Sequence, residues 1–143
     1  MKKLICLFWL IFAYPLMAQD YSSPILTNDQ PTNIGNYNQS IIYVFFNNEP
    51  CQGCAEAISI IENAYNQQFD NEYNLFIINY QKDWQSNFIR QYDLSQPLEV
   101  VLVRVDDGGA FGYRKLTNLQ YMTSDPTSLY DYFVQQVDNF LED

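Results

Sequence analysis

Apolar positions follow two rhythms along this chain, and the switches between them mark out the elements. Ile41 to Phe46 is continuously apolar and β-prone, built from Ile, Val, Tyr and Phe. That pattern suits a strand buried on both faces. From Cys54 to Phe69 the apolar residues Ala57, Ile58, Ile61, Ala64, Tyr65 and Phe69 recur at steps of three and four. Such spacing defines one face of a helix. Asn71 to Asn74 is a polar break, and Leu75 to Ile78 is a second β-prone run. Asp83 is placed to cap a second helix, with Trp84, Phe88, Ile89 and Tyr92 on its inner face. Pro97 then precedes a third apolar strand, Val100 to Val105. Asp106-Asp107-Gly108-Gly109 is a hairpin signal, so Ala110 to Leu116 returns antiparallel. Asp125 caps a last helix with Pro126 at its first position, and Leu129, Phe133, Val137 and Phe140 form its buried stripe.

The order is β–α–β–α–β–β–α. A strand–helix–strand unit requires a parallel pair with a right-handed crossover, and the final hairpin adds an antiparallel edge. The expected fold class is α/β, with a central mixed sheet flanked by helices. The domain runs over 41–143, and its core includes Ile41, Ile61, Leu75, Val101 and Phe133.

The residues before it read differently. Lys2 and Lys3 form a positive start, Leu4 to Leu16 is nearly all apolar, and Ala18 is small enough for a cleavage site. Residues 1–18 are therefore expected to be a secretion signal, too short in its apolar core for an ordinary span. An uncleaved N-terminal anchor is the alternative. Gln19 to Ser40 is a polar leader with at most one short strand, around Ser23 to Leu26. Cleavage after residue 18 leaves 125 of the 143 residues, one domain's worth.

Charge narrows the partners. The whole chain carries 7 basic and 17 acidic residues, a net charge of −10. Loss of Lys2 and Lys3 takes this to −12. Nucleic acid and anionic membrane surfaces are disfavoured as partners. The acidity itself reads as solubility, and the many tyrosines read as packing and amphipathic cover. Asp83, Asp106, Asp107, Asp125 and Glu56 have cap, turn or helix-surface readings, and no pair among them has a catalytic spacing.

Candidate chemistry is concentrated in Pro50-Cys51-Gln52-Gly53-Cys54. An apolar strand leads into it and a helix leads out. Cys6 lies in the signal stretch, so a mature chain has two cysteines, both in this motif. A disulfide closing so short a loop removes little chain entropy, which counts against a purely structural staple. A zinc site needs about four ligands, and the chain has no His. A c-type haem site needs His after the second Cys, where Ala55 stands. No metal or cofactor is expected. Thiol–disulfide exchange fits best, because a helix start stabilises a thiolate at Cys51 and holds Cys54 one turn further in. Cys51 is the expected nucleophile and Cys54 the resolving thiol.

The element order, with Cys-x-x-Cys at the first strand–helix junction, resembles the minimal thioredoxin fold from about Ile41 to Leu141. A closer resemblance is to small secreted ArsF-type thioredoxin-like proteins. It lies in Pro50 to Cys54, in Val100-Val101-Leu102-Val103 and in Lys115-Leu116-Thr117-Asn118-Leu119. Protein thiols and disulfides are the expected partners of such a motif, the resemblance adds a membrane electron carrier, and a monomer is expected. The resemblance also implies a cis-proline opposite the motif that exposes backbone for an extended substrate. Gln96 and Pro97 are the candidates, with an ordinary trans proline opening the strand as the alternative. The chain departs from its relatives in the motif. Gln52-Gly53 lacks the His of oxidising members and the Pro of thioredoxin, and Pro50 replaces a Trp. Glu49 opposes a thiolate if its side chain points at Cys51. Nothing in the dipeptide stabilises the thiolate further, which favours a reductant. A binding module on this scaffold, or an electron-relay subunit serving one enzyme, is the alternative function.

Overall fold

The computed structural model describes residues 38–81, 86–107 and 109–142. The expected signal segment, most of the leader with its short strand, and the Asp83 and Trp84 readings lie outside the described residues. Elements run in the order β1 Ile41–Phe46, α1 Cys54–Gln68, β2 Asn74–Asn79, α2 Ser86–Tyr92, β3 Leu98–Asp106, β4 Gly109–Thr117, a 3₁₀ turn Leu119–Met122 and α3 Pro126–Leu141. The sheet order is β2-β1-β3-β4. β1 pairs in parallel with β2 and antiparallel with β3, and β3 pairs antiparallel with β4. This is the expected thioredoxin-like arrangement, a parallel β–α–β unit completed by a hairpin.

Strand alternation divides the core in two. Ile42, Val44, Leu98, Val100, Leu102 and Leu116 point to one face and are covered by Ala57, Ile61 and Ala64 of α1 and Leu129, Phe133 and Val137 of α3. Phe45, Ile78, Val101 and Val103 point the other way, beneath Tyr92 and Leu94. The second face adds a cluster of aromatic rings to its aliphatic residues. The Phe45 ring lies 5.2 Å from those of Tyr43 and Phe88, and Phe88 stacks on Tyr92 at 6.2 Å.

Turn chemistry follows from small polar residues in the left-handed region. Asp107 opens the two-residue hairpin loop with φ 49°, and Asp106 faces Gly109 across it. Asp93, with φ 52°, ends α2. The Leu94 N–H then reaches back to the Ile89 carbonyl at 3.1 Å, a Schellman closure. Asp125 caps α3 as expected, with Oδ1 accepting the Ser128 N–H at 3.2 Å and Pro126 in the first turn. Arg104 faces Gly112 and Val105 faces Ala110, which leaves Phe111 as the extra residue of a bulge on edge strand β4.

Three expectations need correction. The α3 stripe closes on Leu141 rather than Phe140. Steps of four from Leu129 lead to Leu141, while Phe140 is half-buried at the margin of the same cluster, with the Arg114 guanidinium 4.8 Å from its ring centre. Ile41 and Leu75 are half-buried, Ile41 at the start of β1 and Leu75 on edge strand β2. β3 begins at Leu98, two residues earlier than its apolar run, because Glu99 is accommodated inside the strand.

Candidate redox site

Cys51 and Cys54 form a disulfide with Cα atoms 5.6 Å apart. Cys54 is the first residue of α1, and Gly53 is its N-cap, with no side chain capping the helix start. The first turn closes through Ala57 N–H to Gly53 O at 2.8 Å. The remaining N–H groups of that turn have no partner within the helix, so the motif carries the positive end of the helix dipole. The cysteines differ in access. Cys54 is 9% exposed and belongs to the aliphatic core, whereas Cys51 is half-buried at its edge.

Gly53 has a steric role that the sequence reading did not find. Its φ is 86°, and a Cβ there would sit 2.6 Å from Gln120 O and 2.8 Å from Thr123 Oγ1. Both requirements select glycine. The 3₁₀ turn thus closes directly against the motif, and the Thr123 hydroxyl donates to Gln120 O at 3.0 Å. No periodicity announces that short turn; Asn118 in the left-handed region, φ 65°, is its one local signal.

Pro97 stands beside the end of β1, where its carbonyl accepts the Asn47 N–H at 3.2 Å. The Gln96–Pro97 peptide is trans, since no described peptide bond is cis. Its backbone groups are all engaged. Gln96 N–H donates to Glu99 Oε2 at 3.2 Å, and Gln96 O accepts from the Tyr80 hydroxyl at 2.7 Å. Proline has no N–H to offer. A partner strand adding here must share or displace those bonds.

Glu99 is the second feature the sequence reading missed. It is 1% exposed on β3. Its Oε1 pairs with Lys115 Nζ at 3.1 Å, and its Oε2 also takes the Ser95 N–H at 2.8 Å. The Lys115 ammonium donates in addition to the carbonyls of Tyr92 and Asp93, at 3.2 and 2.7 Å, at the C-terminal end of α2. One ion pair therefore pins both ends of the α2–β3 connection. The signal for it was a lone acidic residue beside an apolar run, with a lysine two residues off register on β4.

Burial is the largest influence on the tyrosines of this region. It raises Tyr80 above the ordinary 10.0, reinforced by Glu99 and Glu49 and opposed by the Asn47 hydrogen bond. Burial, with Tyr43 and Tyr113 alongside, pushes Tyr92 up to about 12. Glu49 is exposed, and its backbone N–H donates to Asn47 Oδ1 at 3.0 Å. Among the described residues no cluster of three or more His, Cys, Asp or Glu could hold a metal ion, and no helix is long and apolar enough to cross a membrane.

No family model and no curated protein matches the chain. Among solved structures it is similar to chloroplastic thioredoxin z, with 11% identity and a TM-score of 0.44 over 64% of this chain and 80% of that one. A malarial protein is similar at 13% identity and a TM-score of 0.41, over 68% and 99% of the two chains. The reduced thioredoxin preprotein of Schistosoma mansoni is similar at 12% identity and a TM-score of 0.43, over 68% and 82%.

Proposed function

We propose that the chain is an extracytoplasmic thiol–disulfide oxidoreductase that exchanges disulfides with protein partners through Cys51 and Cys54. One observation carries the reading: a bonded cysteine pair at an uncapped helix start, with Cys51 the more accessible and Cys54 buried. In the reducing direction the Cys51 thiolate attacks one sulfur of a partner disulfide. A mixed disulfide forms and one partner thiolate leaves. Cys54 releases its proton to solvent and attacks Cys51 Sγ, and the second partner thiolate departs. Two electrons pass to the partner, and the pair ends as the disulfide seen here. A thiol donor must then restore the dithiol, and the ArsF-type resemblance supports a membrane electron carrier in that place.

Export rests on the character of residues 1–18. The reducing direction rests on Gln52 and Gly53, which bring no positive charge to the thiolate. Gln96 and Pro97 are the proposed substrate-binding residues, supported by their place beside the end of β1. The engaged backbone of Gln96 favours a second reading, a non-catalytic binding module or a dedicated relay subunit.

Trapping tests the proposal. Cys54→Ser leaves Cys51 able to attack but unable to resolve, so mixed disulfides accumulate on partner proteins. Cys51→Ser gives far fewer. Equal trapping by the two variants overturns the assignment of roles. Failure of the unaltered protein to reduce insulin, or to exchange with any protein disulfide, favours the second reading.

A further inference from the structure

A chain of hydrogen bonds links the loop that leads to Cys51 with the ends of two strands. Asn47 directly follows β1 and stands four residues before Cys51. Its backbone N–H holds Pro97 O, as described above. Its side-chain Nδ2 donates to the Tyr80 hydroxyl at 2.9 Å, and its Oδ1 accepts the Glu49 N–H at 3.0 Å. The last bond fixes the amide's orientation, because an N–H must face oxygen. The Tyr80 hydroxyl in turn donates a hydrogen bond to Gln96 O at 2.7 Å. Three segments are joined in this way: the loop that carries Cys51, the end of β2 and the entry to β3. Tyr80 is 5% exposed, so water is a poor substitute partner for its hydroxyl.

We propose that Asn47 and Tyr80 are positioning residues for thiol–disulfide exchange, tying the Cys51 loop to the sheet and so setting the balance between disulfide and dithiol. The proposal rests on the oxidoreductase reading. Its physical basis is effective concentration. Cys54 is placed by α1, but Cys51 lies outside the helix, and its position depends on the loop before it. Two thiols held within reach form a disulfide more readily than two that wander. Cutting the chain at Tyr80 or Asn47 leaves the loop held by the Asn47 N–H on Pro97 O and by the bonds of Asn48 to Asn79 and Gln81, but removes the side-chain tie nearest Cys51 and so weakens that preference. The redox potential reads this directly.

The test uses the full chain with Cys6→Ser, so that only Cys51 and Cys54 titrate against a glutathione series. Tyr80→Phe, which removes only the hydroxyl, lowers the equilibrium constant for disulfide formation about three- to tenfold, a rise of about 15–30 mV for a two-electron couple. Asn47→Ala does at least as much. The double variant matches Asn47→Ala alone, because both cut one chain. Tyr92→Phe is the control: its hydroxyl accepts from Gln91 Nε2 at 3.1 Å on the same face. It leaves the potential unmoved. A role in general stability weakens both redox forms alike and also leaves the potential unmoved. Unaltered potentials in folded Tyr80→Phe and Asn47→Ala therefore overturn the proposal. If Tyr80→Phe does not fold, Asn47→Ala, at a half-buried position, decides alone. A parent chain that exchanges with no protein thiol or disulfide defeats the oxidoreductase reading; a parent that does exchange, with variants sharing its potential, defeats only this one.

Discussion

The two faces of the sheet solve different problems. Beneath α1 and α3 the buried residues are almost all aliphatic, with Ile42, Val44, Val100 and Leu102 meeting Ile61, Leu129 and Val137. Beneath α2 the rings of Phe45, Tyr80 and Tyr92 share the space with Ile78, Leu94, Val101 and Val103, and a carboxylate is buried on that face with a lysine as partner. Aliphatic packing is non-directional and scales with area, so the first face supplies stability and shields Cys54. Hydrogen bonds and ion pairs are directional, and the second face uses them to place backbone: Ser95 and Gln96 by Glu99, Gln96 again by Tyr80. The cysteine motif draws on both. Its buried sulfur sits in the aliphatic cluster, while the loop leading to its accessible sulfur is tied from the polar side.

The largest effect is expected on the aliphatic face. Phe133 is fully buried between α3 and the sheet. Phe133→Ala should cost about 3–5 kcal/mol through lost burial and a residual cavity. Urea unfolding measures it, and the loss should be the same with the disulfide open or closed. A loss that depends on redox state would show that this face does more than stabilise.

The polar face should respond less, and in a different way. Glu99→Leu leaves the N–H groups of Ser95 and Gln96 without their acceptor and Lys115 without its counter-ion. Lys115 is a quarter exposed and retains water and two carbonyls, so the expected cost is about 2–3 kcal/mol, below that of a fully enclosed pair. Adding Lys115→Met should recover part of it, since the uncompensated charge is gone. Simple additivity of the two substitutions would mean that the pair does not act as a unit.

Alkaline pH gives the smallest and most selective contrast. Tyr92 is pushed from 10.0 to about 12, mainly by burial. An unfolded chain releases that proton near pH 10, while the folded chain holds it to about pH 12. Between these values the unfolded state binds fewer protons, so the contribution is intact below pH 10 and is lost as pH rises towards 12. Tyr92→Phe should flatten the alkaline fall in denaturant midpoint more than Tyr65→Phe does. Tyr65 is also raised, but it is a partly buried residue at the margin of the aliphatic face. Equal flattening would remove the distinction between the faces.

Sequence alone determined the element order, the strand-to-helix placement of Cys51 and Cys54, the hairpin turn at Asp107 and the cap at Asp125. Each depends on neighbours within a few residues: period two or three-and-four, a left-handed turn, a short side chain beside a helix start. Tertiary structure alone decided what meets the motif. Gly53 against Gln120 spans 67 residues, Asn47 to Tyr80 spans 33, and Glu99 to Lys115 depends on hairpin register. Local pattern carries no record of such meetings, because a hydrogen-bond partner is chosen by where the chain returns. Glu99 shows the limit most clearly. A carboxylate beside an apolar run reads as the outside of a strand until the sheet brings a lysine over it.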